Sequence, residues 1–152
     1  MEDKTKLRLS LEFIFGKDTG SVVPFEKIEI SKSRRTGRIK HFSYEGKLFG
    51  SFRSDGGIAL TLYGANYLYS RGALKGNSIE ISRDASEAVS KGLSLFSKHV
   101  LFCGENVRPS SEALLVGPSG KTVAVGKALL SSKAIKQFKS GVAVKVRQGE
   151  DN

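Results

Sequence analysis

A single cysteine, Cys103, stands in 152 residues, so no disulfide can form within the chain. With no signal peptide at the charged stretch Met1 to Leu7, this points to a reducing cytoplasm. No apolar run approaches the length of a bilayer span, which argues against a membrane home. Histidine is nearly as scarce. His41, His99 and Cys103 lack zinc-ribbon or finger spacing, and three soft ligands do not close a structural site, so no metal is expected. Carboxylates are scattered, and the serine pairs Ser110-Ser111 and Ser131-Ser132 sit at turn and cap positions. Nothing offers a nucleophile beside an oriented base, so the chain is not expected to be an enzyme. Gly117-Pro118-Ser119-Gly120-Lys121-Thr122 ends like a phosphate-binding loop. Leu115 stands where that motif needs glycine, and Thr122-Val123-Ala124-Val125 reads as strand where it needs a helix. The segment reads as a hairpin turn, and no cofactor is expected.

Positive charge is what the chain has in excess. Lys and Arg number 25 against 15 Asp and Glu, a formal net charge of +10, and 39% of residues are hydrophobic. A core can form, and the surface field attracts polyanions such as nucleic acid. The sharpest feature is Lys32 to Lys40, with Lys32, Arg34, Arg35, Arg38 and Lys40 and no acid. Phe42, Tyr44, Phe49 and Phe52 follow. Cations on phosphates and rings on unpaired bases fit this pattern, and so does an edge strand guarded by charge.

Residues Leu7, Leu9, Leu11, Phe13 and Phe15 alternate as in a strand, while Leu7, Leu11, Ile14 and Phe15 fit a helical stripe; both readings stay open. Strands are expected around Ile28–Ile30, Phe42–Tyr44, Leu48–Arg53 and Leu60–Leu62, then a helix to Ser70 stopped by Gly72. A boundary falls at 71–77. Beyond it come a strand at Ile79–Ile81, a helix capped by Asp84 with Glu87 three residues on, and strands over 93–102, 113–116, 122–129 and 142–146. A helix carrying Ile135 and Phe138 is capped by Ser131 or Ser132. Short strands with two small helices imply a partly closed β-barrel, within an α+β fold.

Several segments resemble a known family in order. Ser90-Lys91-Gly92-Leu93-Ser94-Leu95-Phe96, Val107-Arg108-Pro109, Thr122 to Ser132 and Lys139 to Arg147 resemble the PUA domain, an RNA-binding module. Phe13-Ile14-Phe15-Gly16, Arg35-Thr36-Gly37-Arg38-Ile39, Gly46-Lys47-Leu48, Arg53-Ser54-Asp55-Gly56 and Leu60 to Ala65 resemble the domain preceding PUA in archaeal archaeosine tRNA-guanine transglycosylases. The resemblance implies a small N-terminal α/β sheet domain over residues 1–74 and a PUA pseudobarrel with short helices over 77–149. It implies an RNA partner, tRNA above all, and a separately encoded, non-catalytic module serving a catalytic transglycosylase subunit. The alternative is a free-standing PUA protein of ribosome assembly or translation. The RNA surface it implies is Lys91, Gly92, Ser94, Phe96, Lys98, Lys127, Lys145 and Arg147, extended by Arg34, Arg35 and Arg38. Gly92 would let backbone approach phosphate and Arg147 would grip one bidentately; Phe96 reads equally as core. Ser110-Ser111 and His99 depart from the family's pattern, so contacts beside them are expected to differ.

Overall fold

The computed structural model describes residues 2–152, which divide into two compact units, one up to Leu74 and one from Lys75. Both are basic. Thirteen of the 25 Lys and Arg and eight of the 15 Asp and Glu lie in the first, the remainder in the second.

The first unit begins with helix α1 (Asp3–Phe15), followed by α2 (Lys17–Val22). The helical stripe prevails over the alternation: Leu7, Leu11 and Phe15 are buried, whereas Phe13 is 90% exposed. Burying one such side chain is worth about 2 kcal/mol; a strand would set Leu9 and Phe13 on the same face as these three, whereas helical spacing turns them toward solvent. Gly16, at φ +102°, ends α1 in a conformation L side chains avoid.

Four antiparallel strands follow in chain order, β1 (Glu29–Lys32), β2 (Ile39–Tyr44), β3 (Lys47–Phe52) and β4 (Ile58–Leu60). Glu45 and Gly46, both at positive φ, make the two-residue β2–β3 hairpin turn whose twist suits the strands. Helix α3 (Leu62–Ser70) is capped by Thr61, whose hydroxyl accepts from the Gly64 N–H at 3.0 Å. Phe42, Phe49, Ile58, Leu60, Ala65 and Leu68 are buried in this unit.

The second unit contains β5 (Ser78–Ile81), α4 (Arg83–Ser90), β6 (Leu95–Phe96), β7 (Val100–Cys103), β8 (Glu112–Val116), β9 (Thr122–Ala128), α5 (Ser132–Phe138) and β10 (Val142–Gly149). Its sheet runs β6-β10-β9-β8-β5-β7, with β5 and β8 parallel and the other neighbours antiparallel. The two outermost strands, β6 and β7, are adjacent in sequence, separated by a 3₁₀ turn at Ser97–His99. The segment read as one extended run over 93–102 is therefore interrupted, and its halves serve opposite edges of the sheet, which rolls it into a near-barrel. The turn is anchored at both ends: Ser97 donates its N–H to Gly141 O at 2.9 Å, and Ser82 donates to His99 O at 3.0 Å.

Ile79, Ile81, Val89, Leu95, Leu115, Val144 and Ile135 fill the interior. The α4 cap differs from expectation. Ser82 is the N-cap, accepting from the Ala85 N–H, and Asp84 sits inside the first turn. Burial of Ala85 and Val89 fixes the helix phase and leaves Asp84 exposed. Ser131 caps α5 by accepting from Ala134 N–H at 3.1 Å. Residues 117–121 form the hairpin turn between β8 and β9, with Gly117 N–H donating to Lys121 O at 2.9 Å. No helix among the described residues is long and apolar enough to cross a membrane.

Candidate nucleic-acid interface

Antiparallel register sets Lys145 of β10 directly opposite Lys127 of β9. The two positions share one face, Lys145 exposed and Lys127 half-buried, and neither has an ion pair among the described residues. Like charges directly across a ladder repel, and an anion between them relieves the repulsion. Glu112 of β8 is the register neighbour of Lys127 on its other side. Its carboxylate is turned to Arg147, whose guanidinium engages it through both terminal nitrogens, Nη1 to Oε1 at 3.0 Å and Nη2 to Oε2. The Glu112 side chain is 1% exposed. The fork of Arg147, read from the resemblance as a phosphate contact, engages a buried carboxylate here, which offsets the cost of burying that charge.

The remaining expected residues of this unit lie around the end of α4 and along β6. Lys91 pairs with Glu87 at 3.3 Å, one helical turn away and well exposed to solvent, a contact worth a few tenths of a kcal/mol at most, on the order of 0.3. Gly92 takes φ +95°, which ends α4, but its open side is covered: a Cβ there would lie 2.9 Å from the Asn152 side-chain nitrogen. Its requirement for glycine comes from the positive φ, since the Asn152 side chain can move aside. Ser94 is half-buried and Lys98 exposed. Phe96, opposite Val142 on β10, is 49% exposed, so it is not a core residue. Ser111 Oγ accepts from Arg108 N–H at 3.0 Å, and Ser110 holds φ +73°, giving this loop its own shape. His99 shares a hydrogen bond with Ser82 Oγ at 3.3 Å through Nδ1, His41 one with Ser51 Oγ at 2.9 Å, and Cys103 is buried, its thiol pushed up by desolvation.

In the first unit Arg34, Arg35 and Arg38 lie on the exposed loop joining β1 to β2. Ser33 N–H donates to Arg38 O and Gly37 N–H to Ser33 O, both at 2.8 Å, so the loop is held as a compact turn. The stacking expectation fails for two rings. Phe42 and Phe49 are fully buried, tilted against each other at 5.9 Å, because they supply the core of this sheet. Phe52 and Tyr44 are half-buried.

Tyr44 belongs to an aromatic group whose other members, Tyr63 and Tyr67, were not singled out from the sequence. Tyr44 and Tyr67 meet edge-on at 5.4 Å, Arg71 lies 3.6 Å over the Tyr67 ring, and Lys47 lies 5.0 Å over Tyr63. The spacing of Tyr63 and Tyr67, one turn apart on α3, was the available signal. Desolvation first, and the Glu45 carboxylate second, hold the Tyr44 and Tyr63 hydroxyls above the usual phenol range, so both are neutral donors near neutral pH.

Residues 77–149 match the PUA domain, and residues 5–72 match the patch-forming domain C2 of tRNA-guanine transglycosylase. Among curated proteins, the chain is 33% identical over 147 residues to a tRNA-guanine(15) transglycosylase of Thermoplasma acidophilum, covering 96% of this chain and 23% of that protein. It is 36% identical over 152 residues to its namesake in Methanosphaera stadtmanae, covering 97% and 23%. The chain thus spans about a quarter of the length of the curated relatives it matches. Among solved structures, a hypothetical protein from Pyrococcus horikoshii OT3 superposes with a TM-score of 0.77 at 18% identity, covering 99% of this chain and 91% of that one. A PUA domain from Aeropyrum pernix K1 gives 0.70 at 19% identity, covering 98% and 82%. The near-barrel, the two matched segments and the relatives agree: this α+β chain carries a PUA domain over residues 77–149 and resembles the C-terminal part of archaeal tRNA-guanine transglycosylase.

Proposed function

We propose that this chain is a cytoplasmic RNA-binding protein that holds tRNA, and serves as the non-catalytic part of tRNA base modification of the archaeosine transglycosylase type. In this reading residues 1–74 form the pre-PUA domain and residues 77–149 the PUA RNA-binding domain, and a catalytic transglycosylase subunit is the protein partner. The observation that carries it is the pair of cations Lys127 and Lys145, set opposite each other by strand register with no ion pair among the described residues. Lys91, Lys98, Ser94 and Phe96 extend the contact, and Gly92 shapes the turn beside it. Arg147 stands two residues along β10 from Lys145, as the partner of Glu112. Arg34, Arg35 and Arg38 supply further phosphate contacts from the first unit.

The test is a titration of tRNA against wild type and the double variant Lys127→Ala/Lys145→Ala at several salt concentrations. Removing one lysine–phosphate interaction flattens the log-log salt dependence by roughly one unit, so the double variant should show a slope shallower by about two. Equal affinity and equal slope would place the RNA elsewhere. Co-purification with a transglycosylase from native cells tests the partner; recovery of ribosomal subunits without one would favour a role in ribosome assembly or translation.

A further inference from the structure

The first unit carries an open cleft of about 760 Å³, walled by α1, by the loop between β1 and β2, and by the turn after β3. Its apolar lining is Leu9, Ile39 and Phe52. Leu9 is the informative one: Leu7 and Leu11 of the same helix are fully buried, while Leu9 is 49% exposed. Phe52 is half-buried, and its ring is fixed edge-on against Phe42 at 6.2 Å. The cationic lining is Lys6, Arg38 and Lys40, none with an ion pair among the described residues. The carboxylate that borders the cleft is already matched, Asp3 by Lys32 at 3.2 Å, and Arg53 on the rim is matched by Asp55 at 3.3 Å.

An apolar floor with a fixed ring, under three unmatched cations, suits a ligand that is flat and apolar at one end and anionic at the other. The volume lies within the range of small-ligand sites, roughly 300–1,000 Å³. We infer that this cleft takes an unpaired nucleotide of RNA, its base against Phe52, Leu9 and Ile39 and its phosphates on Lys6, Arg38 and Lys40. A duplex does not fit this description, since stacked bases present edges, and only a splayed base offers a face to a ring. The inference rests on the RNA-binding reading and adds to it a site for single-stranded character, distinct from the lysine pair of β9 and β10.

The experiment uses the full chain with three kinds of labelled probe: tRNA, a blunt RNA duplex without unpaired bases, and single-stranded hexamers of uridine and of adenosine. The variants are Leu9→Glu, which puts a carboxylate on the floor from an exposed helix position, and Lys6→Ala/Lys40→Ala. Each should bind a hexamer about tenfold more weakly while binding the duplex as wild type does. Wild-type levels of hexamer binding in both variants overturn the inference. So does a wild type that binds tRNA and duplex but neither hexamer, which leaves the RNA-binding reading intact. A wild type that binds none of the three overturns both. A free nucleoside monophosphate that binds as tightly as a hexamer would assign the cleft to a small metabolite and overturn the RNA assignment. Should a variant fold poorly, photo-crosslinking of a 4-thiouridine hexamer to wild type decides independently. Crosslinks in α1 or in residues 52–56 support the site, and crosslinks confined to residues 75–152 overturn it.

Discussion

Replacing Arg147 by alanine leaves the Glu112 carboxylate, 1% exposed, without the guanidinium that grips both its oxygens. Removing one partner of a buried ion pair commonly costs about 3–5 kcal/mol, and the Arg147 side is 37% exposed, so water reaches the site and about 2–3 kcal/mol is expected. With a urea slope near 1 kcal/mol per M for a unit of this size, the midpoint should fall by about 2–3 M. The assay separates the units optically. All four tyrosines, Tyr44, Tyr63, Tyr67 and Tyr69, lie in the first unit and the chain has no tryptophan, so tyrosine fluorescence follows that unit while circular dichroism follows both. The dichroism transition should shift and the fluorescence transition should not. Adding Glu112→Gln removes the stranded charge and should recover about half of the stability. The reasoning is refuted if Arg147→Ala is as stable as Lys145→Ala yet binds tRNA about tenfold more weakly, since Arg147 would then be a phosphate ligand.

Ser82→Ala should destabilise the second unit by about 1 kcal/mol through removal of the α4 cap, and Asp84→Ala by a few tenths, about 0.3, through the helix dipole alone; urea unfolding by circular dichroism ranks them, and the reverse order would restore Asp84 as the cap. Burial holds the Cys103 thiol protonated above its ordinary value of 9.0, so the folded state retains a proton that the unfolded chain releases. The corresponding stability is complete below pH 9 and is lost as pH rises beyond it, by up to about 1.4 kcal/mol per pH unit. Comparing urea midpoints of wild type and Cys103→Ala between about pH 7 and 10.5 should show the steeper decline in wild type, and parallel curves would contradict it.

Periodicity and turn chemistry carried most of the fold in the sequence. Asp55-Gly56-Gly57, Gly72, Gly92 and the 117–121 turn all end elements where a positive φ or a tight hairpin is needed. The first helix stayed ambiguous because Leu9 and Phe13 satisfy a strand pattern as well as Leu7 and Leu11 satisfy a helical one; tertiary burial decided between them. The break at Ser97–His99 left no local signal, since the reason for it is distant: two halves of one segment pair with β10 and with β5. The site was legible as charge but not as partnership. Lys127 and Lys145 have no ion pair among the described residues, whereas Arg147 looks equivalent in sequence and is engaged by a residue 35 positions away. Rings following a basic run read as stacking platforms, yet Phe42 and Phe49 were needed for the core of a small sheet.

The order of strands has a consequence for how the chain folds. In the first unit each strand pairs with the next, so every hairpin can close as soon as its second strand is available, and folding there should be quick and sequential. In the second unit β5 waits for β8, which begins only at Glu112, and β6 finds its neighbour only in β10. Loops that long are entropically slow to close, and no partial set of strands completes the ring. A ribosome making this chain would therefore release a finished first unit ahead of a second whose closure waits for β10.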